Sequence, residues 1–425
     1  MKTVLVVGGG GREHAIVRAL KRSPQSPSVI CAPGNAGIAE DARCFELDPE
    51  DIEGLVRLAR DQGANLTVVG PEAPLVGGLV DSLDAEGIAA FGPVAEAARI
   101  EGSKAFAKQL MQEAGVPTAS HVVFDSYEQA EAQIDCASYP AVLKADGLAA
   151  GKGVVIADTP RAAREALRAF FVESRFGAAG SRVVLEQFLD GEELSLLALC
   201  DGENVVPMAP ARDYKRIRDG DEGPNTGGMG SYSPFPGVSA EHAAEIVETV
   251  HRPVVDALRK RGISYRGVLY AGLMLTETGP KVLEFNCRLG DPETQAVLPR
   301  LRTDLLDLLE AGLAPGGLSS YELEWSDDWA VTVVLASRGY PESSSKGDRI
   351  TGLDELDDVE VTHAGTARED GAVLTAGGRV LNVTALGPTA EAARARAYAA
   401  LERIEFDGMQ YRTDIAAGVV EQVAS

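Results

Sequence analysis

The 425-residue sequence predicts a multidomain protein of α/β and α+β class. An N-terminal domain on a doubly wound parallel sheet is followed by a central α+β region and a small β-rich C-terminal domain. Three observations carry this expectation. Short apolar runs alternate with helical periodicities at the start of the chain. From Ser103 the strands lengthen and interleave with helices. From Trp329 strand-like runs dominate, up to a helical stretch near Ala390 to Arg403. The corresponding boundaries are 1–102, 103–327 and 328–425, with a smaller lobe at about 122–192 inserted in the second unit.

Each element has a local reason. "TVLVV" ends in glycines, and Ala15, Ile16, Ala19 and Leu20 then share one helical face. "SVICA" stops at Pro33-Gly34. Asp48 reads as an N-cap with Pro49 at the first helical position, ahead of Ile52, Leu55, Val56 and Ala59. "LTVVG" and "IAAFG" supply the third and fourth strands. Ligands of open α/β sheets bind beyond the carboxyl ends of strands. The loops there make Gly10, Glu13, Asn35 and Glu72 candidates, although each is also an ordinary turn residue. A nicotinamide fold fits poorly: Glu13 stands where GxGxxG needs its third glycine, and no acid ends the second strand. A long loop, "PARDYKRIRDGDEGPNTGGMGSYSPFPG", precedes a helix near Ala240 to Lys260 and the strands "RGVLYAGLMLT" and "KVLEFNC".

Bulk properties exclude several classes. The net charge of −24 argues against nucleic-acid or anionic-membrane partners, which need a basic face. No apolar run is long enough to span a bilayer, and the start has no secretory-type apolar core. The five cysteines, Cys31, Cys44, Cys136, Cys200 and Cys287, are scattered without a CxxC pair, as expected for a reducing cytoplasm.

The chemistry concentrates in three places. "LKADGLAAGKGVV" has the glycines and lysine of a phosphate loop, but Gly153 stands where a P-loop has its metal-binding hydroxyl. Backbone amides from Gly147 to Gly153, including Gly151 and Lys152, could still cover phosphates, with Lys144 at the strand end and Lys104 in the first turn of a helix. "LEQFLDGEEL" offers Glu186, the backbone at Phe188 and Glu193 to an adenine and a ribose. In "KVLEFNCRLGDPET", strand alternation puts Glu284 and Asn286 on one face and Leu283, Phe285 and Cys287 on the other. A carboxylate and a carboxamide suit a hard cation such as Mg²⁺, with Arg288 beside them for phosphate. Each is also compatible with a solvated polar face.

Together these pieces resemble the ATP-grasp superfamily, whose central domain holds ATP between two lobes. Their order resembles the glycinamide ribonucleotide synthetases within it: "GGREHA", "APGNAG", "VGPEAPL", "FGP", "EGSKAF", "KADGLAAGKGV", "EQFLDGEEL", "GPNTGGMG", "YAGLM", "EFNCRLGDPE" and "HAGT" span Gly8 to about Thr366. The resemblance implies ATP-dependent ligation of glycine to 5-phosphoribosylamine in purine biosynthesis, by a cytoplasmic monomer. It implies that Lys104, Lys144, Gly147, Gly151, Lys152, Gly153, Glu186, Phe188 and Glu193 bind ATP, and that Glu284 and Asn286 bind Mg²⁺ or Mn²⁺. Gly10, Glu13, Asn35, Gly37, Glu72, Gly290 and Asp291 are expected to hold phosphoribosylamine. Asp213 would take the glycine ammonium, Asn225 and Thr226 the acyl phosphate, and Arg288, Lys144 and Asp213 the catalytic charge. Two departures stand out. The strand "GVLYAGLML" has no acidic metal ligand, and Tyr214 replaces the usual histidine of "DHKR". Another ATP-grasp carboxylate–amine ligase, or a carboxylase, is the alternative, although no biotin-attachment segment is present.

Overall fold

The computed structural model describes residues 1–148, 153–173, 175, 177–356 and 358–424. The expectations for Gly151 and Lys152 lie outside the described residues.

The chain opens with a five-stranded parallel sheet in the order Arg43–Cys44, Ser28–Pro33, Thr3–Gly8, Leu66–Val69, Ala90–Phe91. Its first strand is buried on both faces. Leu5 and Val7 pack with Leu55 and Leu58, whereas Val4 and Val6 pack with Ile16, Val17 and Leu20. This two-sided burial explains why "TVLVV" reads as an unbroken apolar run. One expected cap is displaced. The second long helix is Ile52–Asp61, and Asp51 caps it by accepting from Gly54 N at 2.9 Å. Asp48 instead accepts from Glu50 N and forms a local turn, because its short carboxylate reaches the second amide ahead.

The central region holds two antiparallel sheets. One runs Val205–Pro207, Glu192–Asp201, Arg266–Thr276, Gly279–Asn286. The other runs His121–Phe124, Val183–Gln187, Ala141–Ala145, Val154–Ala157, and has a separate core of Phe124, Ile134, Leu143, Leu167 and Phe170. The helical stretch after Ser239 is not uniform. Ala240–Ile246 passes through a wider turn, Val247–His251, before Arg252–Lys260. Pro253 supplies no amide to that turn, and Arg252 N reaches back to Val247 O instead.

The C-terminal sheet runs Arg212–Asp213, Gly230–Ser233, Trp329–Ala336, Arg379–Gly387, Glu360–His363. It thus includes two strands from before residue 327. The alanine face of helix Ala390–Leu401 packs in the same core as Val331, Val333, Val383 and Ala385. No helix among the described residues is long and apolar enough to cross a membrane.

Candidate active site

Strand Ala141–Ala145 delivers Lys144, and helix Lys104–Ala114, capped by Ser103, delivers Lys104. Asp146 ties the two together by accepting from Ser103 Oγ and Ala105 N, each at 3.0 Å. Lys104 Nζ donates to Gly147 O at 3.1 Å, and Ala145 N donates to Gly153 O at 2.8 Å. The described ends of the glycine loop are therefore anchored beside both lysines. Burial lowers the pKa of Lys104, and Lys144 adds to this against the pull of Glu284.

Glu186 is buried at the end of strand Val183–Gln187. Lys108, one helical turn beyond Lys104, approaches Glu186 Oε2 at 2.9 Å, and Lys144 lies 3.2 Å from Oε1. The Lys144 ammonium donates to Leu283 O at 2.8 Å, and among the described residues Oε1 has no aligned hydrogen-bond donor and keeps accepting capacity. Lys108 is a residue the sequence reading missed. Its i+4 spacing from Lys104 was the available signal. Burial brings its pKa down to about 8 against the attraction of Glu186. Phe188 lies in the crossover between Val183–Gln187 and Glu192–Asp201, and Glu193 accepts from Lys215 Nζ at 3.0 Å.

The strict alternation expected around Glu284 is broken by a β-bulge. Gly272 pairs with Glu284 but Leu273 pairs with Val282, leaving Leu283 extra. Leu283 therefore packs with Ala119, Leu189 and Met274 rather than beside Phe285 and Cys287. The bulge also places the Leu283 carbonyl against Lys144. Glu284 and Asn286 keep their shared face. Burial raises the pKa of Glu284, but Lys215, Lys144, Lys104 and Arg288 outweigh it and hold the carboxyl below its ordinary value.

Among the described residues no cluster of three or more His, Cys, Asp or Glu is placed to hold a metal. The Glu284 carboxylate, with no side-chain hydrogen bond among the described residues, and the Asn286 carboxamide form a two-oxygen set. That set fits a hard cation whose other ligands are waters and phosphate oxygens.

Arg288 follows that strand and joins two units. Its Nε lies 3.2 Å from Glu72 Oε2, and Nη2 lies 2.9 Å from Glu101 Oε1 and 3.3 Å from Asn286 Oδ1. Glu101 also accepts from Cys287 N at 2.7 Å. Glu101 was missed, although it heads the "EGSKAF" motif.

Asp213 is buried beside Ser195, 3.4 Å away, and 3.9 Å from Lys215. Ser195 and the Tyr270 hydroxyl both lie against Glu293 Oε1, at 3.1 and 2.7 Å. Burial, with Glu293, Glu193 and Glu284, pushes the Asp213 pKa up against Lys215. Neither Ser195 nor Tyr270 was distinguishable from strand packing in the sequence.

The N-terminal candidates are largely committed to shaping their loops. Glu13 accepts from Gly10 N and from Arg12 Nε, each at 2.6 Å. Asn35 donates to Gly9 O and to His363 O, and accepts from Gly37 N and Ile38 N. Gly37 lies so close to the His14 and His363 rings that any β-carbon would collide with them. Gly290 O accepts from the Thr294 hydroxyl, and Asp291 Oδ1 accepts from Gln295 Nε2. Asn225 pairs with Arg216 in a small hairpin, and the Thr226 hydroxyl bonds Lys215 O and Gly228 N. Tyr214 belongs to packing: its hydroxyl accepts from Ala416 N at 2.9 Å, with Arg412 over its ring.

Comparison with known proteins matches three consecutive stretches of one family, phosphoribosylglycinamide synthetase. Residues 2–101 match its N domain, 102–294 its ATP-grasp (A) domain and 330–418 its C domain. The chain is 51% identical to a phosphoribosylamine–glycine ligase of Caldanaerobacter subterraneus, over 98% of this chain and 99% of that one. It is 53% identical to a phosphoribosylamine–glycine ligase of Streptomyces coelicolor, over 97% and 98%. The crystal structure of a phosphoribosylamine–glycine ligase from Thermotoga maritima superposes with a TM-score of 0.83 at 37% identity, covering 97% of this chain and 100% of that one. A biotin carboxylase of Campylobacter jejuni, at 16% identity and a TM-score of 0.72 over 98% of each chain, shares the fold alone.

Proposed function

The chain belongs to the phosphoribosylglycinamide synthetase family, and from that premise we propose how its own residues carry out the reaction. The enzyme is an ATP-dependent ligase of purine biosynthesis. It joins glycine to 5-phosphoribosylamine, giving glycinamide ribonucleotide, ADP and phosphate. The observation that carries the assignment of the site is the positive field of Lys215, Lys144, Lys104 and Arg288, which together hold the half-buried Glu284 carboxyl below its ordinary value. Such a cluster meets the main need of the first step, in which a glycine carboxylate approaches the γ-phosphate and two anions must be brought together.

Lys104, Lys144 and the loop from Gly147 to Gly153 hold the phosphates. Glu186, with its open oxygen, accepts from the adenine amino group, and Glu193 faces the ribose. Glu284 and Asn286 hold Mg²⁺ or Mn²⁺, which supplies charge neutralisation between phosphates when bound. Asp213, whose pKa is raised by burial and further by Glu293, Glu193 and Glu284 against Lys215, takes the ammonium of glycine, whose positive charge would favour its ionised form. Asn225, Thr226 and the glycine amides after them orient the glycyl phosphate. The loops bearing Gly10, Asn35, Gly37, Gly290 and Asp291 present phosphoribosylamine, whose amine attacks the acyl carbon and releases phosphate. The units 1–102, 103–327 and 328–425 correspond to amine-binding, ATP-grasp and closing parts of a cytoplasmic monomer.

ADP release with Mg-ATP and glycine tests this reading, with and without phosphoribosylamine generated from ribose 5-phosphate and ammonia. Release that requires both substrates is expected. Release without glycine, or with bicarbonate in its place, would keep the fold and overturn the substrates.

Lys108 belongs to the same nucleotide site. Lys108→Met leaves Glu186 with Lys144 alone, and Mg-ATP affinity is expected to fall about tenfold, on the scale of one charge-assisted hydrogen bond. Calorimetric titration with Mg-ATP alone measures this, and an unchanged affinity would remove Lys108 from the site.

A further inference from the structure

We propose that Arg379, on the C-terminal strand Arg379–Gly387, is a positioning residue for the amine step. It locks the "GPNTGGMG" loop to the "LGDPE" loop and sets the direction of the Asp291 carboxylate. Nη1 donates to Gly227 O at 2.6 Å and to Asp291 O at 2.8 Å, and Nη2 lies 3.2 Å from Asp291 Oδ2. The backbone carbonyl of Arg379 accepts from Gly365 N of "HAGT" at 2.9 Å. One residue therefore binds three stretches far apart in the sequence.

The surrounding geometry is built for this contact. A β-carbon at Gly227 would lie 3.0 Å from the guanidinium carbon. Gly228, at a φ of +112°, presses against Pro292 in a conformation that side chains rarely adopt. The two loops therefore touch directly under the arginine. Gln295 fixes the other Asp291 oxygen at 2.7 Å, so the carboxylate has one orientation. A β-carbon at Gly10 would lie 3.6 Å from Asp291 Oδ2, which places that oxygen at the N-terminal loop. None of the Arg379 side-chain hydrogen bonds goes to Lys104, Lys144, Glu186 or Glu284. Lysine is a poor substitute, since a single ammonium on a flexible stem cannot hold both loop carbonyls and the carboxylate in a planar fork.

The proposal rests on the reading that Asp291 faces phosphoribosylamine. Its test is steady-state kinetics of the full chain as wild type, Arg379→Met, Arg379→Lys and Asp291→Asn, with KM measured for each substrate. Both Arg379 variants are expected to raise the KM for phosphoribosylamine by about tenfold to a hundredfold, with the KM for ATP moving less than about twofold. An equal rise in both KM values, or an unchanged amine KM, overturns the proposal. If Arg379→Met does not fold, Arg379→Lys, which keeps the charge opposite Asp291, decides alone. Asp291→Asn separates the two readings. An unchanged amine KM there overturns the placement of the amine at Asp291, and this proposal with it. A raised KM there beside unaltered Arg379 variants overturns the clamp alone.

Discussion

Glu284→Ala is expected to fold like the parent and to lose ligation by about a hundredfold or more, the scale of removing a dominant electrostatic group from a transition state. Folding should survive because Glu284 is only half-buried and its carboxylate makes no hydrogen bond to the described residues. Activity should not survive, because Glu284 is the one carboxylate of the proposed two-oxygen metal set and lies in the positive field of Lys215, Lys144, Lys104 and Arg288. Glu284→Gln keeps the shape while removing the charge, and should lose nearly as much. Circular dichroism and ADP release, the latter at saturating Mg²⁺, measure the two halves of the expectation. Near-normal turnover at saturating metal would take Glu284 out of the metal site.

The second large effect is on stability. Arg288 lies between Glu72 and Glu101, and Arg288→Met would leave two carboxylates facing each other with little water. Breaking a buried pair by removing one partner costs about 3–5 kcal/mol. Its pH dependence follows from the two acids. Burial works against ionised Glu72, but Arg288 and Arg12 bring its pKa down to about 2. Its contribution to stability is therefore present above the unfolded carboxylate pKa of about 4.3 and lost as pH falls toward the folded value. Burial already raises the pKa of Glu101, against the pull of Arg288. Without the arginine both acids should favour their protonated forms. The deficit of Arg288→Met is thus expected to be full at neutral pH and to shrink as the pH falls through the carboxylate range. Urea denaturation of both proteins at neutral and mildly acidic pH checks this. A deficit that stays constant would mean that packing, rather than the stranded carboxylates, causes it.

The sequence disclosed the parts of this molecule that repeat along one dimension. The parallel sheet was legible because two-sided burial turns strands such as Thr3–Gly8 into apolar runs that end in glycine. The shared face of Glu284 and Asn286 was legible because they lie two apart on one strand. What was not legible depends on partners distant in sequence. The bulge at Leu283 exists only in the pairing with Arg266–Thr276, so period-two reasoning placed that side chain on the wrong face. Glu101 gains its meaning from Cys287 and Arg288, and Ser195 from Tyr270 and Glu293. Asp48 and Asp51 are both competent caps, and the choice between them depends on where the helix can start against the sheet.

The strand that follows the glycine-rich loop, Gly230–Ser233, lies between the upstream Arg212–Asp213 and the downstream Trp329–Ala336. On a ribosome, the loop's downstream edge therefore emerges with one neighbour already made and long before the longer one. A chain stopped before Trp329 would carry Lys104, Lys144, Glu186 and Glu284, yet lack the longer neighbour of the strand that follows "GPNTGGMG". Sheet topology thus makes one of the last stretches to be synthesised a structural neighbour of a loop near the middle of the chain.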